Sequence, residues 1–323
     1  MIVTITINPA LDKSTTVEKL IPEKKLRGSN IIIEAGGGGI NASKAIKKLG
    51  GESIAVFPSG GLNGKMLNQI LELQNIACKT ITVANETRES FTVTETCTNA
   101  QYRFVMPGNM LSNEEIERCI STILSLKPSP KIIVASGSLP PRVPDNFFAR
   151  LAAISKQIGA KSIVDTSGRP LQLAAQEGVY LLKPNLSELC SLVGKDYLEL
   201  NEVDDAAHEV IHKGHCEAVV VSMGPAGAIL VTDKEHERIP APTVKKLSTV
   251  GAGDSMVGGM AWMLAQNATL KEVVRFGVAC GTAATMNSGT QLFKKEDVFK
   301  LYEWINDHSR KKAIAFENEK VLV

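Results

Sequence analysis

The six cysteines, at positions 78, 97, 119, 190, 216 and 280, are scattered, and no CxxC occurs. Neither a disulfide framework nor a structural zinc site is expected. An excess of one charge is equally missing. The 36 basic and 34 acidic side chains leave a net charge of +2, which gives no electrostatic case for nucleic acid or an anionic membrane as partner. No run of 18 apolar residues occurs, so no membrane-spanning helix is expected. The opening MIVTITINPALDKS has no basic stretch leading into an apolar one, and the cytoplasm is the expected location. The common catalytic fingerprints are absent as well. There is no GxxxxGK(S/T), no GxGxxG after the first strand, no HExxH and no GxSxG. His208 and His212 stand at i, i+4 with no carboxylate motif beside them, and are expected on a solvated helix face.

What is present is a rhythm. Ile2–Ile7 is a β-branched run closed by Asn8-Pro9, as a buried strand requires. From Pro107 onward strands alternate with helices: Lys131–Ala135, Ser162–Asp165, Tyr180–Lys183 and Ala218–Ser222 as strands, Asn113–Leu126, Asp145–Ile158 and Asp204–Lys213 as helices. That alternation predicts a mostly parallel sheet with helices on both faces, whose ligands bind at the carboxyl ends of the strands. Two stretches do not fit such a sheet. Residues 15–33 are too polar for a central position. Thr87–Thr96 and Gln101–Met106 alternate strictly, as a hairpin with one polar face. Arg88 and Arg103 on that hairpin are either solvated charge or guanidinium forks directed at a phosphate. The tail from Lys311 reads as a strand or a frayed end.

Two glycine-rich stretches precede helices. Gly36–Gly39 runs into an amphipathic pattern beginning Ile40-Asn41, which favours close backbone approach to a ligand by Gly37, Gly38 and Gly39, with the Asn41 amide beside it. Ser248–Gly259 reads STVGAGDSMVGG, with Ser-Thr-Val suited to the end of a strand and a helix from Asp254. Unpaired N–H groups at a helix start attract anions. Asp254 is therefore either a simple N-cap or a base facing a phosphoryl group held by Gly251, Ala252 and Gly253.

GGGGIN at 36–41, KPNLSE at 183–188 and TVGAGDSMVGG at 249–259 together resemble the ribokinase (PfkB) family of sugar kinases. The likeness extends through NPALDKS at 8–14, KLRGSN at 25–30, YRFVMPG at 102–108, SGSLPP at 136–141, VVSMGPAGA at 220–228 and RFGVACGTAATMN at 275–287, nearly the whole chain to about Trp304. The resemblance implies one three-layer α/β/α sandwich with a mostly parallel central sheet, and a small β lid from about 12–33 and 86–107. The implied reaction is transfer of the γ-phosphoryl group of ATP to the C1 hydroxyl of fructose 6-phosphate, as in glycolysis. Tagatose 6-phosphate and fructose 1-phosphate are the alternative substrates, and a catalytically silent sugar-phosphate sensor is the alternative from another class.

By the same resemblance Asp254 matches the base, and Gly251, Ala252 and Gly253 match the anion hole. A helix N-terminus lowers the pKa of such an Asp, so a weak base is expected. Asn185 and Glu188 match an NxxE motif that organises Mg2+ largely through water. Lys183 is expected to reach the nucleotide phosphates, and Ser222, Gly224 and Gly227 to line the nucleotide site. Asp12 matches the position that binds sugar hydroxyls, while Lys25, Arg27, Arg88, Arg103 and Ser138 match positions near the sugar phosphate. Ser248, Val250, Ala284, Asn287 and Gly289 match a potassium site, with Gln291 where relatives carry an arginine. A homodimer through the lid is expected.

Overall fold

The computed structural model describes residues 1–287 and 291–321, with side-chain surroundings through 309. Gly289, expected at the potassium site, lies outside the described residues. Thirteen strands form two sheets among these residues. The large sheet comprises β1 (Ile2–Ile5), β4 (Ser53–Ser59), β5 (Ala77–Thr82), β8 (Ile132–Ser136), β9 (Lys161–Asp165), β10 (Leu181–Leu182), β11 (Ala218–Ser222), β12 (Ala228–Thr232) and β13 (His236–Ile239). Their order across the sheet is β13-β12-β11-β10-β9-β8-β1-β4-β5. Pairing is parallel from β5 through β11, while β12 runs antiparallel to both of its neighbours.

Successive side chains on each central strand enter opposite cores, as the period of 2 demands. Ile133, Val164, Leu182, Val219 and Val221 join a core under the helices Asn113–Ser125, Phe147–Gln157, Gly168–Glu177 and Val203–Gly214. Their neighbours Ile132, Ile163, Leu181, Ala218 and Val220 join the opposite core, under Gly38–Lys48, Ala252–Ala265, Leu270–Thr285 and the helix that starts at Lys295. Both faces are therefore covered, and the result is an open α/β/α sandwich. Among the described residues, no helix is long and apolar enough to cross a membrane.

The small sheet, in order β3-β2-β6-β7, is built from β2 (Ala10–Val17), β3 (Ser29–Gly36), β6 (Arg88–Glu95) and β7 (Gln101–Val105). Leu11 and Ala35 join it to Ile40, Phe57, Leu67 and Leu71 of the main body. Register places Asp12, Ser90 and Val105 level on one face, and Lys13, Phe91 and Phe104 level on the other.

Two sequence expectations are corrected here. Ser248–Val250 is not the end of a strand but a loop, because the Leu247 and Ser248 N–H groups donate to the Thr285 carbonyl at 2.8 and 3.3 Å rather than to a sheet neighbour. The tail from Lys311 is the continuation of helix Lys295–Val321, not a strand.

Candidate active site

The carboxyl edge of the large sheet gathers the polar groups. Asp165 ends β9 and meets Lys183, just past β10, with Oδ1 3.0 Å from Nζ. Burial disfavours the Lys183 charge, but Asp165, Glu188 and Asp254 outweigh it and its pKa stands above the usual lysine value. Asn185 and Glu188 form a capping box at the start of helix Leu186–Val193. The Glu188 N–H donates to Asn185 Oδ1 at 2.8 Å, and the Asn185 N–H donates to Glu188 Oε2 at 2.7 Å. Desolvation, with Asp165 close by, raises the Glu188 pKa, so this half-buried carboxylate is short of positive charge. A bridge between Asn185 and Ser222 brings the turn Gly224–Ala226 and Gly227 alongside.

Helix Ala252–Ala265 begins directly after Gly251, whose φ of 74° is left-handed. A Cβ at Gly253 would lie 3.8 Å from Lys183 Nζ, so that ammonium faces the helix start. The Ala252 N–H donates to Thr249 O at 3.3 Å, whereas the N–H groups of Gly251, Gly253 and Asp254 have no partner among the described residues. Of the three amides expected to face a phosphoryl group, that of Ala252 is engaged within the turn, while that of Asp254 is free beside those of Gly251 and Gly253 among the described residues.

The Asp254 carboxylate caps nothing. Its Oδ2 accepts a 2.8 Å hydrogen bond from Asn41 Nδ2, on the helix Gly38–Lys48, and Asn41 Oδ1 is buried without a partner. The expected low pKa is also corrected. Burial pushes Asp254 up to about 6, Asp165 adds to the rise, and the Asn41 amide and Lys183 only partly oppose it. Desolvation and a like charge outweigh the helix dipole.

The cleft in front of Asp254 has a volume of about 880 Å3 and lies between the small sheet and the starts of the helices Gly38–Lys48 and Ala252–Ala265, with Asp12, Asn41, Arg88, Arg103 and Gly251 among its walls. Burial raises Asp12 to about 6, although Arg88, Lys44 and Arg103 pull it down. The glycine run serves this geometry from within. A Cβ at Gly36 would lie 1.9 Å from Asp12 Oδ2, and one at Gly38 would lie 2.2 Å from Ser136 Oγ. Gly37 and Gly38 also line the cleft, but Gly39 does not. It packs on the Ile5 carbonyl, 2.5 Å from where its Cβ would stand.

Arg88 is partly engaged by the protein itself, donating from Nη1 to Met106 O at 2.9 Å and from Nη2 to Asn8 O at 3.2 Å, while its buried Nε has no partner. On its far side is a recess of about 590 Å3 that includes Asn8 and Ser138, the Asn8 amide donating to Ser138 Oγ at 3.0 Å. Lys25 and Arg27 are exposed in the connection between β2 and β3 and do not line the cleft. The Ser248 N–H is tied to the end of helix Leu270–Thr285, and Ser248 Oγ accepts from the Val250 N–H at 3.2 Å, while the Asn287 N–H donates to Ala284 O at the same helix end. Gln291 lines the cleft.

Residues 4–297 match the family model described as pfkB family carbohydrate kinase. The chain belongs to that family. The ATP-dependent 6-phosphofructokinase isozyme 2 of Escherichia coli is 42% identical over 306 residues, covering 94% of this chain and 99% of that protein. A 1-phosphofructokinase of Xanthomonas campestris pv. campestris is 31% identical over 86% of this chain and 88% of its own. Two crystal structures of the Escherichia coli phosphofructokinase-2 superpose with TM-scores of 0.90, for its complex with potassium, and 0.88, for its complex with fructose-6-phosphate. Each covers 94% of this chain and 99% of the other, at 41% and 40% identity. The ribokinase-like fold and the assignment as a carbohydrate kinase rest on these matches together with the sheet order above.

For this pfkB family member, reasoning from sequence missed Asp165, beside Lys183, and the cleft residues Lys245 and Lys246. Asp165 is a lone acid at the end of a predicted strand, a position that could have singled it out in a parallel sheet. Lys245 and Lys246 line the cleft from the loop before Ser248 and belong to no motif.

Proposed function

We propose that this kinase transfers the γ-phosphoryl group of Mg-ATP to the C1 hydroxyl of fructose 6-phosphate. The observation that carries the reading is the position of Asp254. Asn41 holds its carboxylate toward the cleft, beside unpaired amides and Lys183, and Asp12, Arg88 and Arg103 line the same cleft. In this reading Asp12 accepts hydrogen bonds from the sugar hydroxyls, and Arg88, Arg103 and Ser138 take the sugar phosphate. Asp254 orients the attacking hydroxyl and accepts its proton late, as a loose phosphoryl-transfer transition state requires. The amides of Gly251, Gly253 and Asp254, with Lys183, receive the charge on the transferring group. The nucleotide lies over Ser222, Gly224 and Gly227.

The donor set suits Mg2+. Glu188 has one carboxylate oxygen outside the capping box, burial outweighs the nearby Lys183 charge on it, and Asp165 stands near it. A hard, reluctantly dehydrated cation fits oxygen donors of this kind through water, and it would neutralise phosphate charge there. Ser248, Val250, Ala284 and Asn287 would supply oxygen donors for K+.

The small sheet would act as a lid and pair with that of a second copy, making a homodimer. Phe91, Tyr102 and Phe104 share its outer face by register and are all exposed, an apolar patch that a partner would cover. Lys25 and Arg27, outside their own cleft, would then approach the neighbour's.

A coupled ADP-release assay compares fructose 6-phosphate, tagatose 6-phosphate, fructose 1-phosphate and ribose at equal concentration. Clear preference for fructose 6-phosphate is expected. Preference for fructose 1-phosphate or tagatose 6-phosphate would overturn the substrate, and silence on all four would overturn the reaction.

A further inference from the structure

Lys44 has no part in the reaction proposed above, yet it is one of the most buried charged groups in the chain, with 5% of its surface exposed. It sits one turn beyond Asn41 on helix Gly38–Lys48, behind the cleft wall rather than on it. Its Nζ donates to Ala35 O at 3.2 Å and stands 3.8 Å from Glu34 Oε1. Glu34 and Ala35 lie near the end of strand β3, immediately before the terminal Gly36 against which the Asp12 carboxylate packs. Glu34 and Asp12 are direct cross-strand partners, so two carboxylates lie side by side over one buried ammonium. A lysine is not left in such a place without a compensating role, since burying its charge is costly unless acids pay that cost back.

We infer that Lys44 is a positioning residue for the sugar end of the site: it ties the end of β3 to the helix that carries Asn41, and supplies the buried counter-charge that keeps Asp12 ionised. The inference rests on the reading of Asp12 as the sugar anchor. An anchor for two hydroxyls must accept hydrogen bonds, which only the ionised carboxylate does with both oxygens. The groups facing Asp12 are Glu34 on β3, Arg88 on β6, Arg103 on β7, Lys44 beneath, and Asp254 across the cleft. Those facing Lys44 are Glu34, Asp12, Lys48 and Asp254. Arg88 and Arg103 also serve Asp12, but a bound sugar phosphate would engage them, which leaves Lys44 as the counter-charge that substrate does not compete for.

The sign follows directly. Removing Lys44 raises the pKa of Asp12, so sugar binding, which is lost as pH falls through that pKa, is lost at higher pH. Removing Glu34 takes away a like charge and moves the loss to lower pH. In Lys44→Met the acid limb of the sugar KM should move up by about one unit, the scale of one nearby charge, with kcat at saturating sugar changed less than threefold. Lys44→Arg should restore the profile, and Glu34→Gln should move it the opposite way. In an Asp12→Asn background Lys44→Met should add no further change in KM. The substrate-free readout is carboxyl NMR of 13C-aspartate-labelled protein, with the Asp12 signal assigned by its loss in Asp12→Asn. Opposite shifts of the Asp12 midpoint in Lys44→Met and Glu34→Gln support the inference. An unmoved midpoint in both, or loss of melting temperature with unchanged pH profiles, overturns it. If Lys44→Met does not fold, Glu34→Gln alone decides by the sign of its shift. Failure of the wild type to phosphorylate fructose 6-phosphate would refute the substrate reading alone, because the NMR midpoint needs no sugar.

Discussion

Replacing Asn41 by Leu keeps the branching of the side chain and removes the one hydrogen bond that, among the described residues, the Asp254 carboxylate receives from a side chain, at 2.8 Å. A hydrogen bond to a charged group contributes about 1.5–3 kcal/mol, and one pKa unit corresponds to about 1.4 kcal/mol. Loss of that bond should therefore raise Asp254 by about one to two units from its present value of about 6. Asp254 works as the ionised base, so activity is present above its pKa and is lost as pH falls through it. The acid limb of kcat/KM for Mg-ATP should move from near pH 6 toward pH 7–8, an estimate built on those same constants. Saturating sugar phosphate keeps Asp12 engaged, which leaves Asp254 as the group whose titration the profile reads. At pH 7 the variant should turn over about twofold to tenfold more slowly, as a shift of one to two units implies, and recover at about pH 8.5 to 9. An acid limb that stays in place, or a loss of rate that is the same at every pH, would show that Asn41 does not set the protonation of the base.

The other expectations concern the same constellation. Asp254→Asn should fold and bind both substrates while losing about 10²–10⁴ in kcat, the usual worth of a positioned base. The same substitution should stabilise the ligand-free protein. A carboxyl whose folded pKa lies near 6 rather than 3.8 costs about 2–3 kcal/mol at pH 7, a cost that fades as pH falls from 6 toward 4. Differential scanning calorimetry at pH 7 and pH 4.5 should show a clearly larger gain at the higher pH. Lys183→Met leaves Asp165 buried without its 3.0 Å partner, so thermal unfolding should register a loss of about 3–5 kcal/mol, with a raised KM for ATP if any folded enzyme is recovered. Gly36→Ala places a methyl group 1.9 Å from Asp12 Oδ2, so titration calorimetry should find weaker sugar-phosphate binding with little change for ATP.

Where the sequence was informative, a residue's job followed from its own neighbours in the chain. The central strands are legible because both of their faces are buried, as the division of Ile132 and Ile133 between two cores illustrates. The small sheet is legible through the strict alternation of its β6 and β7 segments, and Asn185 and Glu188 through the resemblance of KPNLSE to the family's NxxE motif. Strands β5 and β13 escape this reading because they are edge strands, mostly exposed and without regular alternation. The glycine run was legible as a place of close approach, but not what approaches. Gly36 and Gly39 yield to the protein's own Asp12 carboxylate and Ile5 carbonyl.

Electrostatic character was the least legible property, and Asp254 shows why. Its local signal, an acid in the first turn of a helix, implies a low pKa. Burial and groups distant in the chain, Asp165 from β9, Asn41 and Lys183, set it instead. Asp12 follows the same rule, with burial raising it against three cations drawn from β6, β7 and the helix Gly38–Lys48. Both carboxylates therefore titrate near pH 6 for the same first reason, which is burial. For a phosphoryl-transfer site this is a usable state. The groups that substrates would add differ between the two: hydroxyl donors at Asp12, and a metal-neutralised phosphate near Asp254. Ligand binding should accordingly depress each pKa separately, and the pH profiles for sugar and for nucleotide should diverge in the single-residue variants described above.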